Sequence, residues 1–264
     1  MDNAPDIKKL LEAWPYDPEN NVRTVQLADG RHVIQVRLPM GIEQYERDGR
    51  PDGLRPHGME SWLDYYMAQR DAARRASREE DFRLDGEQCA HLFEEGILYY
   101  YRYLHLFQLQ DWERTVRDTL HNLKLFDFVR EYASDPSDQT YLEQWRPYLI
   151  KMNAVATAML AFLNDEHDRA QEVVAHAIAA VEALPELESE TFEEERARAL
   201  ESLREMQEQL AKSRPLSKLE MLEHQLRRAI EREDFERAAE LRDRIRSLKE
   251  SQTAPHSGSR NTMV

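Results

Sequence analysis

The stretch "ILYYYRYLHLFQLQDWERTV", residues 97–116, decides the fold. Its first part, Ile97–Phe107, is apolar nearly all round, the mark of a helix surrounded by others. The second part, Leu109–Val116, reads as a corner: a short turn ending in Asp111 caps a following helix, and an apolar residue after Arg114 lets that helix pack closely. Two further stretches repeat the pattern, "LNDEHDRAQ" at Leu163–Gln171 and "EREDFERAA" at Glu231–Ala239. The chain is therefore built from helical pairs. The aromatic run is expected in the core, with a partly open aromatic groove as the alternative, and Trp62, Trp112 and Trp145 are expected to pack in the same way.

Outward from this corner the 3.6-residue period holds from Ser61 to Leu210 with few breaks. It predicts helices over about 59–78, 86–108, 111–132, 139–163 and 165–184, then one running to Lys212, with "ASDPSDQ" and Pro136 as an interruption. Upstream, "VRTVQLADGRHVIQVRLPM" alternates with period two about Asp29-Gly30, a turn pair that tolerates positive φ, and predicts a β-hairpin over 22–38. Its phases set Val22, Thr24 and Gln26 with Val33, Gln35 and Arg37, and Val25 and Leu27 with Ile34, Val36 and Leu38. A lone hairpin is marginal and must lie on the helices. The fold class is mainly α: a helical bundle with one small β-hairpin, the first two corners being similar to tetratricopeptide-type pairs.

Composition narrows function. A formal charge of −15 over 264 residues repels phosphate backbones, so direct nucleic-acid binding is disfavoured. The single cysteine, Cys89, allows no internal disulfide and no multi-cysteine zinc site, which suits a reducing compartment. No cationic start precedes an apolar run and no stretch reaches 18 apolar residues, so the expectation is a cytoplasmic protein that makes no membrane contact. Cys89 and His91 are the nearest approach to a metal pair, at a spacing that suits a strand better than a helix. No acid pair, Ser-His-Asp order or phosphate-cradling Gly-rich loop is argued by spacing, so no catalytic residue, cofactor or metal is expected.

Residues 217–250 form a separate module. Ser217 is placed to cap a helix whose stripe is Leu219, Leu222, Leu226, Ala229 and Ile230; after "EREDFE", Asp234 caps a second helix carrying Ala238, Leu241, Ile245 and Leu248 at coiled-coil spacing. Two helices this short leave apolar stripe uncovered, so a second hairpin or another helix completes the core. The sequence "DFERAAELRDRI", with Asp234, Phe235, Glu236, Ala238, Ala239, Leu241, Arg242, Asp243 and Ile245, resembles the UvrB/UvrC (UVR) motif. The resemblance implies an antiparallel helical hairpin that contacts a like hairpin, as in excision-repair proteins, Clp-type ATPases and activators of a protein arginine kinase. It implies partner-binding roles for Leu219, Leu222, Leu226, Ile230, Phe235, Ala238, Leu241, Ile245 and Leu248, with Arg242 and Asp243 setting charged register.

The expected organisation is an α-rich domain over 1–186, an acidic linker helix over 187–214, the hairpin over 215–250 and a disordered polar tail over 251–264. The expected function is a non-enzymatic bacterial adaptor whose partner is a UVR-bearing protein such as UvrB, UvrC or a Clp ATPase, or a second copy. The alternative is a small-ligand binder or enzyme using the loop "GRPDGLRPHG", Gly49–Gly58, where Arg50, Asp52, Arg55 and His57 are functional residue types held by turn formers. The hairpin would then serve only for oligomerisation.

Overall fold

The computed structural model describes residues 6–213, 222, 226 and 241–246. It is mainly helical, with a small three-stranded antiparallel sheet in the order β1-β2-β3. A short helix α1 (Lys8–Ala13) precedes β1 (Val22–Gln26), β2 (His32–Leu38) and β3 (Gly41–Glu46). Then follow α2 (Trp62–Arg75), α3 (Gly86–Gln108), α4 (Trp112–Tyr132), α5 (Pro136–Tyr141), α6 (Arg146–Leu163), α7 (His167–Glu182) and α8 (Glu190–Ser213). The chain divides into two units, Met1–Ala211 and Lys212–Val264.

The hairpin forms where Asp29-Gly30 places it, but its register is not the expected one. Val22 pairs with Val36, Thr24 with Ile34 and Val25 with Val33. The Leu27 amide donates to the Arg31 carbonyl at 2.8 Å, so the loop is the three residues Ala28–Gly30, with Gly30 at φ 87. An odd loop pairs residues of like parity and sends every side chain to the face opposite that of a two-residue turn. Ile34, Val36 and Tyr45, with Val22, therefore meet Leu106 and Leu109 at the end of α3. The third strand, "GIEQYE", was not expected, because its Gln and Glu residues blur the alternation; it pairs through Ile34–Tyr45 and Leu38–Gly41.

Helix starts follow their caps. Ser61 Oγ accepts from the Asp64 amide, Asp85 and Gln88 form a capping box, and Asp135 caps α5 with Pro136 in its first turn. The helix expected over 139–163 is three pieces instead: α5, a 3-10 turn at Glu143–Trp145, and α6, whose first turn holds Pro147. A proline lacks the amide that a helix interior needs and is tolerated only at a start. At both corners the first helix ends on a left-handed residue, Gln110 (φ 57) and Asp165 (φ 62). At each corner the amide just after that residue turns back onto the helix, Asp111 to Leu106 and Glu166 to Ala161, both at 2.9 Å. Asp111 then caps α4, whereas α7 starts with no side-chain cap.

The helices pack in sequence, α3 on α4, α4 on α6 and α6 on α7. One core joins Leu92, Tyr103, Leu125, Val129 and Leu149; another is rich in alanine, with Ala154, Ala158 and Ala161 of α6 against Ala170, Val174 and Val181 of α7. The helix expected as an acidic linker joins this second core: Ala199, Leu203 and Leu210 of α8 are buried in it.

Candidate functional site

The loop between β3 and α2 is clamped rather than open. Arg102, in the middle of the aromatic run, is fully buried and holds fully buried Asp118 of α4 by two hydrogen bonds, at 2.6 and 2.8 Å. Its remaining donor reaches the carbonyls of Glu46 (2.9 Å) and Gly49 (2.7 Å). Gly49 needs its left-handed φ of 71 to present that carbonyl. Outside this pair, Asp48 accepts from Arg114 (2.9 Å) and Arg117 (2.6 Å), and Arg47 donates to Asp111 at 2.8 Å. Burial pushes the Asp111 carboxyl up, but the Arg47 hydrogen bond and the Arg114 charge outweigh it and hold the group below its ordinary range.

A second buried carboxylate, Glu95 of α3, accepts from the Trp62 and Leu63 amides at 2.7 and 3.1 Å, satisfying the open N-terminus of α2 from outside that helix. Arg50 lies 3.1 Å from Glu95 and 3.0 Å from Asp52, and His121 Nε2 lies 3.2 Å from Glu95. Of the loop residues singled out in the sequence, Arg50 and Asp52 thus face each other. Arg55 is exposed and bonds Glu60. His57 sits at φ 49 and stacks on Tyr65 at 4.2 Å. An open cleft of about 740 Å3 borders all of these except His57, and shares Trp62, His91 and Glu94 as walls.

Cys89 and His91 both lie on α3. The thiol is buried, which pushes it up to about 12, while His91 stacks on Trp62 at 4.1 Å and its Nδ1 bonds the Tyr66 hydroxyl at 2.8 Å. Among the described residues no group of three or more His, Cys, Asp or Glu could hold a metal ion, and no helix is long and apolar enough to cross a membrane.

The aromatic run is not wholly core. Tyr99, Tyr103 and Leu106 are buried, but Ile97, Tyr100 and Tyr101 are exposed, as is Trp145 on its 3-10 turn. They border a second cavity, of about 410 Å3. Sequence reasoning passed over Arg102, Asp118, Glu95 and Asn122. For Arg102 there was a signal: one charge among ten apolar or aromatic neighbours must be paired if the helix is buried.

In the C-terminal unit, Leu241–Arg246 is helical; Leu241 and Ile245, four apart, are buried, and half-buried Leu222 and Leu226 pack on Leu241. Arg242 and Asp243 are exposed, Asp243 within 3.6 Å of Arg246. Two leucines four apart on one segment thus meet a leucine on the other. Residues 217–251 match the UvrB/uvrC motif. The UVR motif covers 35 of the 264 residues, so it characterises the C-terminal module and not the rest. Comparison with curated proteins and with solved structures returned no significant match. Leu219, Ile230, Phe235, Ala238 and Leu248, and the tail over 251–264, lie outside the described residues.

Proposed function

We propose that the chain is a non-enzymatic adaptor whose UVR hairpin pairs with a like hairpin, carried by a partner of the UvrB, UvrC or Clp-ATPase kind or by a second copy. The observation that supports this reading is the UVR match over 217–251 together with a seam in which Leu241 is buried while Leu222 and Leu226 keep part of their surface open. UVR motifs generally mediate protein interactions, and half-covered leucines beside exposed Arg242 and Asp243 offer an apolar contact with a charged margin to set register. The N-terminal unit is the body this hairpin connects to its partner. Sedimentation velocity of the full chain with a UVR-bearing partner, or alone, should show a complex that the double variant Leu222→Asp/Leu226→Asp abolishes, with thermal unfolding of the N-terminal unit unchanged. A complex that survived the double variant would refute the seam.

A second reading is favoured by the cleft of about 740 Å3 at Arg50, Asp52 and Arg55. Of its two arginines, Arg50 is buried against Glu95 and Asp52, whereas Arg55 is exposed and paired only with exposed Glu60, which leaves Arg55 as the group able to turn to an anionic ligand. A ligand-dependent rise in melting temperature that vanished with Arg55→Ala would support it.

A further inference from the structure

The cavity of about 410 Å3 beside α3 has the size of a small-molecule site. Its walls are mostly aromatic, with Tyr100, Tyr101, Tyr141, Trp145 and Tyr148 among them. Tyr100 stands edge-on to Tyr103 at 5.5 Å and tilted to Tyr148 at 6.1 Å, so the rings are set at angles around the space rather than stacked shut.

Besides the tyrosine hydroxyls and the Trp145 indole N–H, the polar groups that share these walls are the Asn122 amide and the Glu195 carboxylate. Asn122 is 3 % exposed, and its Nδ2 donates to the Gly96 carbonyl at 2.9 Å; a flipped amide would set its oxygen against that carbonyl, two acceptors in contact, which fixes the amide's orientation. Its Oδ1 is then buried with no hydrogen-bond partner, a costly state for an amide oxygen. Glu195 of α8 adds a carboxylate, one oxygen of which lies 3.1 Å from Arg198. Burial raises the Tyr100, Tyr103 and Tyr148 hydroxyls, so they stay neutral. None of the lining residues is cationic, so a phosphate or carboxylate would meet Glu195 and no cation in the walls themselves. The Tyr148 ring already holds a cation in this structure: Lys151 Nζ lies 4.4 Å from its centroid.

We propose that this cavity binds a guanidinium-bearing cation, its plane against the aromatic walls and its N–H groups on Asn122 Oδ1 and the Glu195 carboxylate. A guanidinium is planar, carries donors only and stacks on aromatic rings, which matches a cavity that sets a buried amide oxygen without a donor and a carboxylate among π-faces. The net charge of −15 draws such a ligand in. The assignment stands apart from the adaptor reading, which concerns other residues.

Isothermal titration of the full chain tests it with three probes: butylguanidinium chloride, acetyl-Gly-Arg-Gly-amide, and butylurea as the neutral isostere. Both cations should bind, and butylurea should bind about tenfold more weakly because it lacks the charge-assisted contacts. Glu195→Gln should cost butylguanidinium about tenfold and leave butylurea unchanged. Trp145→Leu, a change at an exposed ring, should weaken both cations while the far-UV melting curve matches wild type, which keeps the test independent of folding. Tighter binding of the tripeptide would identify the source as an arginine side chain of a peptide, and tighter binding of butylguanidinium a free small molecule. Equal affinity for butylurea, full affinity in Glu195→Gln, or no heat with either cation up to millimolar concentration would overturn the proposal.

Discussion

At the scale of single residues, buried Asp118 and half-buried Asp111 tie the β3–α2 loop to α4, and each makes a sharp prediction. Asp118→Ala strands the Arg102 guanidinium with only the Glu46 and Gly49 carbonyls, and should lower unfolding free energy by about 3–5 kcal/mol in urea titrations. The double change Arg102→Met/Asp118→Leu should cost less than that single one, since it removes both charges instead of orphaning one. A double variant weaker than the single would show that the pair's contacts, not charge compensation, hold the loop. Asp111 supplies the pH dependence. Its folded pKa is depressed below the ordinary 3.8, so the stability it gains from Arg47 is complete above that value and is lost as pH falls through the depressed pKa. The stability gap between wild type and Arg47→Met should therefore be level from pH 7 to about 5 and shrink below about 4. A gap that persisted into strong acid would mean Arg47 acts through packing. Little of this was legible beforehand: the sequence offers a lone arginine in "YYYRYL" but not that Asp118, sixteen residues on, faces it across a corner.

At the scale of elements, α2–α4, α7 and α8 were readable because their periodicity is long, and α2–α4 also start on the side-chain caps Ser61, Asp85 and Asp111. The failures were local. A three-residue loop instead of two reversed the hairpin faces, a Gln- and Glu-rich strand hid β3, and Pro147 split one expected helix. The expected linker helix differs in kind, because its apolar positions are spaced for the alanine-rich face of α6 and α7. Leu203→Asp places a charge at a fully buried site of that core and should lower the melting temperature of the N-terminal unit by well over 5 °C, about what 1–2 kcal/mol shifts in a domain this large. A helix acting only as a connector would tolerate the change, and calorimetry decides between the two.

At the scale of the whole molecule, the chain divides into two units. The N-terminal unit holds the loop clamp and the aromatic-walled cavity proposed to take a cation; the C-terminal unit carries the UVR motif. The motif was legible because its apolar and charged positions recur at fixed spacing; the Arg50–Arg55 loop and the aromatic run, each one wall of a cavity, stood out by composition, whereas the opposite walls, such as His91 or Tyr141 and Tyr148, come from elements distant in sequence. If Arg242 and Asp243 set register from the exposed margin, Arg242→Glu should weaken association several-fold at low salt and less at high salt, as sedimentation across a salt series would reveal. An effect independent of salt would assign Arg242 to packing.

The most direct test of the adaptor account is co-precipitation from a bacterial lysate with the full chain beside a version ended after Lys212, followed by quantitative mass spectrometry. The account predicts UVR-bearing proteins, or the chain's own copies, retained by the full chain and lost on truncation. The same partners held equally by the truncated chain would contradict it and place the interaction in the N-terminal unit.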